Sequence, residues 1–210
     1  IYNLETITLG LKEIGEFISL RPIPIDAELI LDNDAVMSYS ESSISSSKSY
    51  ILRLPLSEII RITCKNKDLR EKYNIEDILE LSSVDIDYSV LFDNVRGLVL
   101  KSKYNNNILG SLKNDVQRFF MYNNGLTITA NDIIANKKVK ITIKSLQVLN
   151  GGQTLRTIHK FNKEDNKNIE DYLSNGEILV RVFKTSQDQS LNNKIAEHTN
   201  SQNSISNIDL

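Results

Sequence analysis

Cysteine, histidine, proline and tryptophan are all scarce in this chain: one Cys, two His, three Pro and no Trp in 210 residues. A lone Cys64 rules out an internal disulfide framework and fits a reducing, cytoplasmic setting. Two His and one Cys cannot close a Cys/His zinc site. No apolar run approaches the length of a membrane span, which argues against a membrane partner. The opening residues Ile1-Tyr2-Asn3 carry neither an initiator Met nor a signal-peptide pattern, so the chain reads as trimmed or fragmentary. Walker-type GxxxxGK[ST], HExxH and a Ser/His/Asp set are missing as well. His159 and His198 read as surface or capping residues rather than general bases.

What is present is an ordinary globular composition, 40% hydrophobic and 25% charged, long enough for a substantial core. The net charge of -2 excludes a globally basic nucleic-acid binder. Its distribution is uneven. Between Asn94 and Lys160 eleven Lys and Arg face only Asp115 and Asp132, a window of +9 that leaves -11 for the rest. A phosphate site avoids like charge, so the depletion of acids fits one. Lys137 to Lys144 also reads as a solvated hairpin.

Alternation over residues 1 to 37, broken by Pro22 and Pro24, predicts short strands, and the serine-rich stretch Ser38 to Ser49 predicts an exposed loop. Residues 1–49 therefore read as an N-terminal β-rich segment and residues 50–210 as the core domain. Tyr50 to Leu54 predicts a strand, with Pro55 opening a helix through Leu56, Ile59, Ile60 and Thr63. Helical turns are expected around Leu69 to Tyr73 and Ile75 to Leu81. Ser111 is expected to cap a helix with Leu112, Val116, Phe119 and Phe120 on one face, and the Phe pair reads as core. Strands are predicted at Leu126 to Ala130, Val139 to Ile143, Leu146 to Leu149 and Ile178 to Phe183. Helices are predicted at Leu155 to Phe161 and around Leu191 to Ala196. Strands and helices mix without strict alternation, which gives an α+β fold: a mixed sheet with flanking helices.

Four polar segments carry the chemistry. Asn150-Gly151-Gly152-Gln153-Thr154 ends a strand and opens a helix, an arrangement in which backbone N–H groups meet an anion; a tight turn capped by Thr154 is the plainer reading. Asn123-Asn124-Gly125 is a helix C-cap or part of the same site. Arg96, in Asn94-Val95-Arg96-Gly97, offers a planar guanidinium to a phosphate or carboxylate, or else a structural ion pair. Thr199 to Asn203 gathers amides and hydroxyls at a helix end.

In order, LFDNVRG at Leu91, YNNGLT at Tyr122, VLNGGQT at Val148 and TNSQN at Thr199 resemble the signature of the AIPR family, the bacterial abortive-infection phage-resistance proteins. The resemblance covers about Tyr50 to Leu210; AIPR proteins usually continue past the last motif. More remotely, the NGGQT elbow and TNSQN are similar in placement to the elbow and later segment of ParB-like and DGQHR domains. In ParB-like domains those segments hold nucleotide phosphates, so a ParB-like core is implied. Gln153 and Thr154 stand where ParB-like domains carry charge, which puts hydrolysis in doubt; Arg156 and Lys160 partly restore charge.

The resemblance implies a phage-defence domain binding a nucleotide or nucleic acid. Gly151, Gly152, Gln153 and Thr154 would cradle phosphate, Arg96 and Arg156 would neutralise it, and Asn94, Asn123, Asn124, Gly125, Asn150, Thr199, Asn200 and Gln202 would position ligand or elbow. Mg2+ accompanying a nucleotide is the one cofactor this reading allows; no residue is assigned to a metal. Two alternatives stand beside it: a metal-dependent nuclease or NTPase toxin, and a protein-interaction scaffold with no ligand. The toxin would need several carboxylates converging on Mg2+, and the motif window supplies two. Whether the chain is an enzyme, and whether it forms homo-oligomers, stays open at this point.

Overall fold

The computed structural model describes residues 23–40, 48–94, 103–136, 140–185 and 189–201. Among these the strands are β1 (Ile25–Ile30), β2 (Val36–Ser40), β3 (Lys48–Pro55), β4 (Leu126–Ala130), β5 (Asp132–Asn136), β6 (Lys140–Asn150) and β7 (Glu177–Lys184). The α-helices are α1 (Leu56–Thr63), α2 (Lys67–Arg70), α3 (Lys103–Asn114), α4 (Phe119–Tyr122), α5 (Gly152–Glu164) and α6 (Gln189–Ser201). The seven strands form one mixed sheet in the order β1-β6-β4-β7-β3-β2, with β5 also paired to β6. Only β4 and β7 run parallel among the paired strands. The fold is α+β.

The central strands explain the sheet's two faces. Ile178, Val180 and Val182 of β7 are buried, while Leu179, Arg181 and Phe183 between them are half-buried, the period of a strand with one drier face. β4 is buried at all five positions, as a central strand covered on both sides must be. On the dry face lie α1 and α5. Nearly every residue of α1 is buried, including Arg61 at 0% exposure. That guanidinium is held by Glu58 Oε2 at 2.7 Å and by the carbonyls of Glu28 (2.6 Å) and Leu69 (2.9 Å). A charge so enclosed is tolerated because its donors are occupied. Cys64 is also buried; burial pushes its thiol pKa up, which leaves it a packing residue rather than a nucleophile.

Several expected boundaries move, each for a physical reason. The strands expected at 139–143 and 146–149 are one strand, β6, bent at Ser145, which has φ 57°. Asp26 holds the bend, accepting from Ser145 N at 2.9 Å and Lys144 Nζ at 2.8 Å. This bend lets β6 pair with β5 along its first half and β4 along its second. β5 itself was not expected. Ser111 caps nothing: it lies inside α3 and its hydroxyl donates to Asn107 O at 3.0 Å. The helix stops at Asn114, a 3-10 turn follows Asp115, and α4 restarts at Phe119. Phe119 is fully buried, but Phe120 stays over a third exposed. The helical turns expected at 69–73 and 75–81 shrink to α2 and a 3-10 turn at Ile78–Leu81. The serine-rich stretch is strand at both ends, with 41–47 outside the described residues.

Candidate functional site

The site is assembled around the junction between β6 and α5. Asn150 closes the strand and its Oδ1 accepts from Gly151 N at 2.8 Å. Gly151 then turns the chain with φ 88°, a conformation that L side chains rarely adopt. A Cβ there would lie 2.5 Å from Leu126 Cδ2 and 2.7 Å from Gly125 O, so close approach as well as dihedral requires glycine. Gly125 meets the same double demand, with φ 79° and the backbone of Leu179 against its α-carbon. Thr154 is therefore not the helix cap: Gly151 occupies that position, without a side chain to cap, and Thr154 sits buried in the first turn.

The four polar segments converge on this junction. From the first, Asn94 lays its amide over Gly152, where a Cβ would fall 2.8 Å from Asn94 Nδ2, and donates to Val148 O (3.1 Å) and Leu149 O (3.3 Å). From the second, Asn123 Oδ1 accepts from Gly125 N at 3.0 Å and its Nδ2 faces Thr154 Oγ1 at 3.4 Å. From the fourth, Thr199 O accepts from Asn150 Nδ2 at 3.3 Å. Asn124 and Gln153 are engaged by neighbours too. Thr199 and Asn200 belong to α6, whereas Arg96 and Gln202 lie outside the described residues. Much of the amide capacity is thus spent within the protein, binding segments to one another.

Arg156, one turn into α5, behaves differently. Its guanidinium is half-buried, burial lowers its pKa with Tyr88 opposing only in part, and Nη1 has no hydrogen-bond partner among the described residues. A cation near a helix N-terminus is opposed by the helix dipole. Dipole and guanidinium together make an electropositive spot, and among the described residues Arg156 forms no ion pair.

The wider basic window is less charged in space than in sequence. Lys113 pairs with Glu164 (3.4 Å) and Lys144 with Asp26 (2.8 Å), two acids from outside the window, and Arg118 pairs with Asp115 inside it (3.2 Å). Hydrogen bonding to Asp26 raises the Lys144 pKa. Lys140 lies 4.8 Å from the Tyr73 ring centre. Arg96, Lys101, Lys137 and Lys138 are outside the described residues.

His159 corrects an expectation. It is 2% exposed, not at the surface, with Nε2 2.8 Å from Thr63 Oγ1. Burial lowers its pKa to about 4, so it is neutral at physiological pH. His198 is exposed in the last turn of α6. Gln147 was missed: Nε2 donates to Ser89 O at 3.0 Å and Oε1 accepts from Asp93 N at 3.4 Å, fastening the segment before Asn94 to the sheet. Its only sequence signal was an amide in an otherwise apolar strand. Among the described residues no group of three or more His, Cys, Asp or Glu converges, and no helix is long and apolar enough to cross a membrane.

Residues 91–210 match the family model described as AIPR protein, and that stretch contains all four converging segments. With more than half of its length matched, the chain belongs to the AIPR family, which associates it with abortive-infection phage defence. No curated protein and no solved structure matches it.

Proposed function

We propose that this chain is a phage-defence domain that holds a phosphate-bearing ligand, a nucleotide or a nucleic acid, at the N-terminus of α5. The observation that carries the reading is Arg156: a half-buried guanidinium with an unpartnered nitrogen beside a helix start with no capping side chain. A phosphate would accept from the first-turn N–H groups and neutralise Arg156, relieving both the dipole opposition and the charge burial. Glycines at 151 and 152 let Leu126 and the Asn94 amide close against the junction, and Thr154 offers a hydroxyl. The remote likeness to ParB-like elbows points the same way, and Mg2+ would enter only with the nucleotide.

Titration of the chain with ATP plus Mg2+ and with single- and double-stranded oligonucleotides, at several salt concentrations, tests it. Saturable binding that weakens with salt is expected. Arg156→Leu should weaken it by about ten- to a hundredfold, the scale of one charge-assisted hydrogen bond. The double substitution Gln153→Ala, Thr154→Ala should weaken it as well. Affinity unchanged in both variants would sink the assignment. A scaffold without ligand is favoured by a different observation, the donation of Asn94 to Val148 O, Asn123 to Thr154 Oγ1 and Asn150 to Thr199 O, which ties the segments together. It predicts no nucleotide-induced thermal shift at all.

A further inference from the structure

The exposed aromatic side chains are unevenly placed. Of five among the described residues, four lie on the two short segments that lead into the α5 junction: Tyr88 (53% exposed) and Phe92 (50%) before Asn94, Phe120 (37%) and Tyr122 (57%) before Asn123. Chain geometry keeps them close to it. Tyr122 adjoins Asn123, whose Nδ2 faces Thr154 Oγ1. Phe92 stands two residues, at most about 7 Å between α-carbons, from Asn94, whose amide lies over Gly152. Tyr88 is near enough to Arg156 to act on its charge.

Folding does not require this exposure. In α4, Phe119 is fully buried and anchors the helix, yet Phe120, Met121 and Tyr122 beside it stay exposed. Asp115 accepts from the Tyr122 hydroxyl at 3.1 Å, a bond that steadies the ring without covering it. The same carboxylate pairs with Arg118 at 3.2 Å, which offsets its repulsion of an anion. Grouped exposed apolar surface marks a contact. The core of a protein interface is one apolar patch poor in charge. Here two aromatic groups instead border an electropositive helix start, reaching it through separate segments. The complementary ligand carries an anion between two flat apolar groups. A phosphodiester that joins two unpaired nucleobases has that form. A duplex hides its base faces in its own stack, and a mononucleotide has a single base.

We propose that the α5 junction and its aromatic borders bind single-stranded nucleic acid, with one phosphate at the start of α5, one base stacked on the Tyr88 side and its neighbour on the Tyr122 side. The proposal rests on the phosphate reading above and adds to it the bases and the strandedness of the ligand.

The test is fluorescence anisotropy of the full chain with short labelled strands of oligo-dT and oligo-rU, an abasic strand of the same length, a DNA duplex, and unlabelled thymidine monophosphate as competitor. At least one base-bearing strand should bind about fivefold or more tightly than the abasic strand, the lower end for one stacked base, and more tightly than the duplex or the mononucleotide. The tighter of oligo-dT and oligo-rU assigns DNA or RNA. Tyr88→Leu and Tyr122→Leu should each weaken strand binding at least about fivefold. Both sites are exposed, so Tm should hardly change. Tyr88→Phe keeps a ring and should bind as wild type does. An abasic strand that binds as tightly as the others leaves the phosphate reading standing and overturns this one. Equal affinity for duplex or mononucleotide, or unchanged affinity in both leucine variants, overturns it too. Failure of every probe, the abasic strand included, removes both readings.

Discussion

Acidification should destabilise the fold through His159 by an amount that can be worked out in advance. The ring packs between α5 and α1, and Thr63 fixes its tautomer: the Thr63 hydroxyl proton goes to Ile59 O at 2.6 Å, so Nε2–H must be the donor to Thr63 Oγ1. Burial outweighs the Val84 backbone and the Asp85 carboxylate, which favour the imidazolium, and holds the pKa at about 4. In the unfolded chain the value returns to about 6.5. Between the two, the unfolded state binds the extra proton, so stability rises with pH there. The contribution is complete above about 6.5 and is lost as pH falls toward 4. Its full size is about 3 kcal/mol, of which about 2.5 kcal/mol should be gone at pH 4.5. Urea denaturation from pH 7.5 to 4.5 reads this as a midpoint about 1 M lower. Carboxylates titrate over the same range, so the informative quantity is the difference from His159→Gln, which keeps an N–H for Thr63 but cannot titrate. The two stability curves should converge as pH falls. Parallel curves would refute the reasoning.

Three further outcomes follow from single residues. Arg61→Lys cannot reach Glu58 and the Glu28 and Leu69 carbonyls together, and should cost about 3 kcal/mol or more in chemical denaturation; a loss under about 1 kcal/mol would contradict the enclosed network. Gly151→Ala forces a Cβ into Leu126 at φ 88° and should cost at least about 2 kcal/mol, read as a lower Tm; a neutral result would mean the turn has another geometry. Arg156→Leu should leave Tm unchanged or raise it, because Arg156 has no ion pair among the described residues, whereas a structural ion pair would make Tm fall.

Periodicity carried most of the fold that could be read from sequence. β4, β7 and α5 announce themselves because apolar residues recur at two or at three to four; β4 spans the expected residues, while β7 and α5 run one and three residues further at each end. Breaks were harder. Ser145 carries no sign that it takes a positive φ, since the cause, Asp26, is more than a hundred residues away. The α3–α4 interruption was likewise hidden, because Leu112, Val116 and Phe119 keep helical spacing across it. The same limit governs the site. Asn150 to Thr154 was placed correctly as a strand–helix junction, but its partners Asn94, Asn123 and Thr199 reach it across 31 to 55 residues. Local pattern gives no information about such contacts, and a recurrent motif order only hints that they exist. Charge misled for this reason: the acids facing Lys113 and Lys144 lie outside the window that was counted.

α6 should be the first part of the described fold to open. α5 buries Leu155, Ile158 and Phe161, the apolar stripe that normally secures a helix on a sheet. α6 buries Asn192 and Ala196 and leaves Leu191 and Ile195 only half covered. Polar groups gain little by leaving water, so among the described residues the contact of α6 with β6 rests on few apolar atoms and on polar bonds such as that from Asn150 to Thr199. Hydrogen exchange on α6 should therefore proceed by local opening, faster than on α5, whose exchange should approach the global unfolding limit. A phosphate at the α5 junction would protect the first turn of α5 and leave the exchange of α6 away from Thr199 largely as it was. Equal protection of α6 and α5 in the ligand-free chain would show that α6 is secured by something other than these contacts.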